Sequence, residues 1–320
     1  MQRIILDTDP GIDDALALFL ALASPEIQLE AITTVSGNVH VDLTTRNALA
    51  LLELAGHPDI PVARGSDRPL VRQPVTADYV HGHNGLGGIE LPEPKLQPVS
   101  QHALDLIIEK IMAAPQEITL VPIGPLTNIA LALRKEPRIA QYVRAVVIMG
   151  GALRVPGNVT PGAEFNIYAD PHAAHIVLQA GWPLRLVTLD VTTRALLQRE
   201  QVQALSSTGS PVTGFIQQVV GNFLDTFGQP RGITAFQMHD PLCLAAAFRP
   251  ELITWEPAYV DVELAGTLTL GQTVAYFERP EDIDPSLEHR HSPNVLASVG
   301  VDAEQFIALY IERIRSNFQL

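Results

Sequence analysis

The sequence predicts an α/β protein with an open, mostly parallel, mixed central sheet carrying helices on both faces. Three observations predict it. Short apolar runs of strand length alternate with longer segments of helical periodicity at least five times. The runs at 4–6, 118–123 and 145–149 are continuously apolar, as buried strands are. Polar or glycine residues follow the strand ends (Asp7 and Asp9, Asn38, Gly124, Gly150, Asp190), which is the edge where such sheets bind ligands.

The first strand, 4–6, runs into Asp7, Asp9, Asp13 and Asp14, four carboxylates within eight residues, broken by Pro10 and Gly11. Residues 15–22 are then almost wholly apolar and rich in helix formers, so the unit reads as strand, acidic turn, helix. Carboxylates crowded between two buried elements repel one another unless something positive sits among them. A hard cation, Ca²⁺ or Mg²⁺, is the simplest answer for an all-oxygen donor set. The structural alternative is that Asp13 caps the helix, where a carboxylate is favourable.

Residues 27–35 read as a second strand ending in Ser36-Gly37-Asn38, and 42–55 as a helix stopped by Gly56. A short third strand spans 61–63. Residues 66–98 are proline-rich and contain His81-Gly82-His83-Asn84-Gly85-Leu86-Gly87-Gly88, a long loop of the kind that serves function. Its two histidines read as ligands, as substrate contacts or as surface residues. A helix at 102–113 precedes the strand at 118–123, which meets Gly124-Pro125-Leu126-Thr127-Asn128 and a helix through Leu133. The strand at 145–149 ends in Gly150-Gly151. A second irregular region, 152–168, holds Asn158, Glu164 and Asn166.

A helix at 171–180 stops at Gly181, and a strand at 184–189 ends in Asp190. Residues 211–227 read as a helix with Phe215, Phe223 and Phe227, followed by a loop at 228–232. His239-Asp240-Pro241 opens an apolar helix at 242–248. Residues 259–264 and 273–277 read as a strand pair, and 302–318 as an amphipathic closing helix. No repeat or linker interrupts the pattern, so the chain reads as one domain over 1–320.

The chain has 21 basic and 35 acidic residues, a net charge of −14, and three lysines (Lys95, Lys110, Lys135). That argues against binding nucleic acid, which needs clustered Lys and Arg. Apolar residues make up 47%, enough for a sizeable core. The single Cys243 excludes an internal disulfide framework and fits a reducing compartment. The start, MQRII, reaches an aspartate by position 7, and no run of 18 apolar residues occurs. The expectation is a cytoplasmic protein with no membrane partner.

At His239-Asp240 a second acidic site appears at a helix start. There the chain resembles the nucleoside hydrolases of the inosine–uridine preferring type. The matching motifs are DTDPGIDDA (7–15), TTVSGN (33–38), VPIGPLTN (121–128), VIMGG (147–151), AEFNIYADP (163–171) and HDP (239–241). They fall in the family's order and cover almost the whole chain. DxDxG alone is weak; six separated matches are specific. The resemblance implies a Rossmann-like nucleoside hydrolase fold and hydrolysis of the N-glycosidic bond of ribonucleosides to ribose and a free purine or pyrimidine base.

The resemblance also implies a Ca²⁺ held by Asp9, Asp14, the backbone carbonyl of Ile123, and Asp240. Such a set suits Ca²⁺, which takes six to eight oxygens in flexible geometry. Asp9 is then the general base for the water held by the metal, because Ca²⁺ is a modest Lewis acid. Asp13, Asn38, Asn158, Glu164, Asn166 and the Met149 carbonyl are implied to hold the ribose, and their oxygens suit an oxocarbenium-like transition state. His239 is implied as the acid that protonates the leaving base; its alternative role is to orient Asp240. His81 is implied to contact the nucleoside and Phe165 to pack near the base. Family members often carry tyrosines around 223–231, where this chain has Phe223, Phe227 and Arg231. A homodimer or homotetramer is implied, and the loops at 74–88 and 223–232 are expected to close over substrate.

Two other classes compete. A phosphatase of the haloacid dehalogenase type also opens with a strand and DxD, but needs a downstream lysine that this inventory does not place at a strand end. A non-catalytic calcium-dependent ribose- or nucleoside-binding protein would use the same oxygens. It would not require the base-and-acid pair Asp9 and His239.

Overall fold

The structure is a computed structural model describing residues 1–206, 209–277 and 292–318. Strand β1 (Gln2–Thr8) leads through α1 (Ile12–Ala23) to β2 (Ile27–Thr34), α2 (Val41–Ala55) and β3 (Val62–Arg64). The helical turn α3 (Asp78–His81) precedes α4 (Ala103–Ala113), β4 (Ile118–Pro122), α5 (Thr127–Lys135), α6 (Ile139–Tyr142) and β5 (Ala145–Met149). Next come α7 (Phe165–Ala169), α8 (Pro171–Leu178), β6 (Leu184–Val187), α9 (Leu189–Thr192), β7 (Leu196–Gln198), α10 (Arg199–Ser206) and α11 (Pro211–Phe223). The last third holds β8 (Ala235–Gln237), α12 (His239–Phe248), β9 (Ile253–Val262), β10 (Thr273–Phe277), β11 (Val295–Val301) and α13 (Ala303–Asn317).

Nine strands form one sheet in the order β10-β9-β11-β6-β5-β4-β1-β2-β3, and β7 pairs with β8 apart from it. All neighbours in the large sheet run parallel except β9, which is antiparallel to both β10 and β11. The mixed, mostly parallel sheet expected from the sequence is therefore present. Its faces have separate cores. Ile4 and Leu6 of β1 pack with α1, α2, α11, α12 and α13, while Ile5 packs with α4, α5 and α8. Burial on both sides is why β1 reads as a continuous apolar run rather than an alternation.

The chain leaves β1 toward β2 and β3 on one side, then returns to β4 on the other. The boundary between β1 and β4 is thus the topological switch point, where the crossover loops diverge and leave a crevice. Ile123, just past β4, donates its backbone N–H to the Asp7 carbonyl at 2.8 Å, which ties the two strand ends together there.

Several elements differ from the sequence reading. Regular helix ends at Phe223; Leu224–Gly228 form a π-helical turn and Gln229–Arg231 a 3₁₀ turn. Strand β6 stops at Val187, and Leu189–Thr192 is a helical turn. Strand β9 starts at Ile253, and β11 is not anticipated at all. Ser298 and Gly300 interrupt the apolar pattern of β11, and its partners β6 and β9 are distant in sequence, so only tertiary pairing makes it a strand. Among the described residues no helix is long and apolar enough to cross a membrane.

One electrostatic tie fastens the opening strands. Arg3 meets Glu30 at 2.7 Å, and Lys110 approaches the other Glu30 oxygen at 3.5 Å. The hydrogen bond from Arg3 holds the Glu30 carboxyl below its ordinary range. A depressed pKa stabilises the fold above the ordinary glutamate value, and that contribution is lost as pH falls through the lower, folded value. Glu30→Gln should cost about 1 kcal/mol at pH 7, no more, because Arg3 is partly solvated. Thermal melts at pH 7 and pH 3 check this; a melting difference that persists at pH 3 refutes the electrostatic account.

Candidate active site

The β1 end and the α1 start are built around Asp14. Its Oδ1 accepts the Thr8 hydroxyl at 2.5 Å and the Asp9 N–H at 3.1 Å. Its Oδ2 accepts the Gly11 N–H and the Asn38 amide, both at 2.9 Å. Asp14, rather than Asp13, therefore makes the helix-start hydrogen bond that the structural reading assigned to Asp13. Asp9 is 1% exposed, and its Oδ2 accepts the Asn38 N–H at 2.7 Å. Its Oδ1 is buried with no hydrogen-bond partner. A buried carboxylate oxygen left bare is costly, so it marks a place where something else belongs.

Gly37 and Gly124 crowd this carboxylate. A Cβ at either would overlap an Asp9 side-chain oxygen. Gly124→Ala should therefore displace the Asp9 carboxylate and slow turnover by about 10²-fold, the cost of roughly 1 Å of misplacement. Steady-state rates on a folded variant check this, and wild-type turnover would sink it.

Asp13, Asp14 and Asp240 each place an oxygen within 4.8 Å of the others. Asp9 falls outside that triad, but its charge is felt by Asp240. Burial raises the pKa of all four carboxyls. Asp14 then adds to the rise at Asp9, and Asp14 and Glu164 to that at Asp13, which reaches about 8. At Asp240 the charges of Asp13, Asp14 and Asp9 add to burial, in that order. Among the described residues no Lys or Arg forms an ion pair with any of the four. Four buried carboxylates with no Lys or Arg partner, whose one ion-pair contact among the described residues is the neutral His81 at 4.0 Å from Asp13, fit a hard metal cation.

Above them a cavity of about 440 Å³ opens, of the size that takes a small organic ligand. Asp13, Asn38, Ile123, Met149 and Asp240 line its floor together with Glu164 and Asn166. His81, Asn158, Phe165 and His239 line it as well, whereas Asp9 and Asp14 lie beneath the lining. Glu164 caps α7. One of its oxygens accepts the Asn166 N–H at 2.8 Å, and the other accepts Gly151 at 3.0 Å and Ile167 at 3.1 Å. The Asn166 amide donates to the Ile123 carbonyl at 2.8 Å and to the Met149 carbonyl at 3.2 Å. Asn158 accepts the Phe165 N–H at 2.9 Å.

Of the two loop histidines, His83 is exposed and His81 reaches the cavity. The Ile12 N–H, in the first turn of α1, donates to His81 Nδ1 at 3.1 Å. Burial and the neighbouring His239 push the His81 pKa down to about 3, so its imidazole is neutral and keeps its proton on Nε2. Burial likewise pushes His239 down to about 4. His239 Nδ1 lies 2.7 Å from the hydroxyl of Thr192, which is fully buried.

Two acidic residues read as part of the polar edge do not reach the cavity. Asp7 accepts the Thr33 hydroxyl at 2.5 Å and the Asn128 amide at 2.9 Å, deep below it. Asp190 accepts the Leu153 and Arg154 N–H groups at 2.9 and 2.8 Å and so anchors the loop that carries Asn158. Sequence reasoning missed Thr192, whose role appears only once α9 is packed behind His239. It also missed Phe236, which joins Phe223 and Phe227 in the cavity wall. Phe236 sits on the three-residue strand β8, and no periodicity announces it.

Comparison with known proteins gives the family of the chain. The family model described as "Inosine-uridine preferring nucleoside hydrolase" matches residues 4–308. The pyrimidine-specific ribonucleoside hydrolase RihA of Citrobacter koseri is 41% identical over 312 residues, covering 97% of each chain. The inosine-uridine preferring nucleoside hydrolase of Crithidia fasciculata is 42% identical over 315 residues, covering 98% of this chain and 97% of that one. Among solved structures, the plant nucleoside hydrolase PpNRh1 superposes with a TM-score of 0.92 at 36% identity, covering 98% of this chain and 99% of that one. The purine-preferring ribonucleoside hydrolase from Gardnerella vaginalis gives 0.91 at 33%, covering 99% of both. The chain therefore belongs to the inosine-uridine preferring nucleoside hydrolases, N-glycosyl hydrolases that act on ribonucleosides.

Proposed function

We propose that this hydrolase works with Ca²⁺, held by Asp9, Asp14, Asp240 and the backbone carbonyl of Ile123, and that Asp9 is the general base and His239 the group that protonates the leaving base. The observation that carries the reading is the set of four buried carboxylates without a Lys or Arg partner among the described residues, one of which, Asp9, has a bare oxygen. The Ile123 carbonyl spends one lone pair on the Asn166 amide and keeps a second. When bound, the cation supplies positive charge that binds and acidifies an attacking water and orients the ribose hydroxyls.

The chain's own groups do the rest. Asp9 Oδ1 takes the proton of the attacking water, while the Asn38 N–H on Oδ2 keeps the carboxylate turned toward it. Asp13, Asn38, Asn158, Asn166 and the Met149 carbonyl hold the ribose. Glu164 Oε1 has one backbone donor and keeps a lone pair for a sugar hydroxyl. These oxygens also stabilise the positive charge that builds on the sugar as the glycosidic bond breaks. The Thr192 hydroxyl, 2.7 Å from His239 Nδ1, holds the ring so that Nε2 of its protonated form delivers the proton to the departing base. His81, with its proton on Nε2, contacts the nucleoside, and Phe165 packs near the base. The loops at 74–88 and 223–232 close over substrate; the Asn222 amide already bonds the Gly87 carbonyl, joining α11 to the first of them.

The test is a panel of inosine, adenosine, uridine, cytidine and deoxyinosine, following free ribose before and after metal chelation with Ca²⁺ add-back. Release should stop on chelation, return with Ca²⁺, and fall on the order of 10⁴-fold without the 2′-hydroxyl, since sites built to bond a hydroxyl reject its absence strongly. Chelator-insensitive release, or equal rates on inosine and deoxyinosine, refutes the assignment. The ranking of bases reads out purine against pyrimidine preference.

A further inference from the structure

The wall of the cavity around Phe223, Phe227 and Phe236 contains one cation. Phe223 and Phe227 lie with ring centroids 5.1 Å apart, and Phe236 meets Phe223 edge-on at 5.0 Å. None of the three rings carries a hydrogen-bonding atom. Arg231 lies across this shelf with its guanidinium carbon 4.0 Å from the Phe227 centroid, a cation–π geometry that fixes the plane of the group. Among the described residues Arg231 is the one Lys or Arg that lines the cavity.

The guanidinium is held but not used up. One Nη1 hydrogen goes to the Phe227 carbonyl at 3.0 Å, out of five N–H donors. Among the described residues no carboxylate pairs with it. The backbone also places it deliberately. A π-helical turn at Leu224–Gly228 and a 3₁₀ turn at Gln229–Arg231 end on Gly232 in the left-handed region at φ +71°. Irregular helical turns of this kind concentrate at functional sites.

We infer that Arg231 is the specificity-determining residue for the leaving base, its guanidinium donating to the exocyclic carbonyl oxygen of an oxo-base: O6 of a 6-oxopurine, or a carbonyl oxygen of a pyrimidine. This rests on the catalytic reading above. As the C1′–N bond breaks, its electron pair passes to the base nitrogen and the negative charge spreads through the ring onto that oxygen. Water adds to C1′ and gives its proton to Asp9. The base takes one from His239, and Arg231 keeps all of its own. A donor aimed at the oxygen where charge develops favours the transition state over the bound substrate. Adenine offers an amino group there, so a donor meets a donor.

The experiment compares wild-type protein with Arg231→Met, which keeps the length and removes the charge, and Arg231→Lys, which keeps the charge and loses the fork. The substrates are uridine, inosine, adenosine and 4-nitrophenyl riboside, each with and without chelator. Arg231→Met should lose about 10²-fold in kcat on inosine and uridine, the cost of removing one such donor. Its loss on adenosine and the aryl riboside should be at least tenfold smaller, and Arg231→Lys should recover part of the deficit. Equal losses on all four substrates would make Arg231 a prop for Phe227 and overturn the inference, as would unchanged rates on inosine and uridine. Wild-type turnover and its chelator response report separately on the catalytic reading.

Discussion

Asp9→Ala folds with a melting temperature near that of the wild type and turns over inosine and uridine at least about 10³-fold more slowly. Asp9 is buried, one oxygen is committed to the Asn38 N–H, and the other has no partner. Removing the side chain deletes the group placed to take the proton from water, a contribution of about 10² to 10⁴. It also deletes one oxygen of the proposed cation shell. The fold should tolerate this, because Asp14 rather than Asp9 satisfies the start of α1. Relieving one of four mutually repelling carboxylates even favours folding in the absence of metal. Circular dichroism and thermal melts establish the fold, single-turnover rates establish the chemistry, and metal titration separates the base role from the ligand role. Near wild-type turnover in this variant removes Asp9 from the mechanism.

His239→Ala shows a loss that depends on the leaving group. On inosine and uridine the expected drop in kcat is about 10² to 10⁴, the range for a positioned proton donor. On 4-nitrophenyl riboside, whose leaving group departs without help, the drop should stay within about tenfold. Burial pushes the pKa of His239 down to about 4, so at neutral pH the ring is mostly uncharged and must take up a proton before it can pass one from Nε2 to the leaving base and return to neutral imidazole. Two consequences follow. The ratio of wild-type to variant rates on inosine should fall as pH rises from about 6 to 9, because the imidazolium fraction falls with it. Thr192→Val, which removes the hydroxyl 2.7 Å from Nδ1, should lower kcat on inosine more than it raises KM, because it frees the orientation of the ring. An equal loss on the aryl riboside argues that His239 orients Asp240 instead.

The strand–helix alternation, the two-sided burial of the sheet and the strand-end location of the site were legible because they are local properties. The continuous run at Ile4-Ile5-Leu6 signals burial on both faces, and the two cores bear this out. The turns after β2, β4 and β5 carry short motifs whose resemblance to one family was specific in combination. The last third was less legible. Strand β11 depends on pairing with β6 and β9, and the π-helical turn after Phe223 leaves no signature in spacing.

The sequence by itself determined the fold class, the family and the residue types available to the chemistry, because these follow from periodicity and from motifs contiguous in the chain. Tertiary structure decided how those residues divide the work. Asp7, within β1, has one oxygen bonded to Thr33 and Asn128 and does not line the cavity, while Asp9, past the strand end, lies beside Asp14 and Asn38 under the cavity lining, although each keeps one buried oxygen without a partner. His81 enters the cavity and His83 stays in solvent. Thr192 comes to His239 across 47 residues, and Arg231 comes to lie on Phe227 at the mouth of the cavity. Each of these outcomes is set by which face of an element is buried and by what packs against it, and sequence neighbours do not share that information.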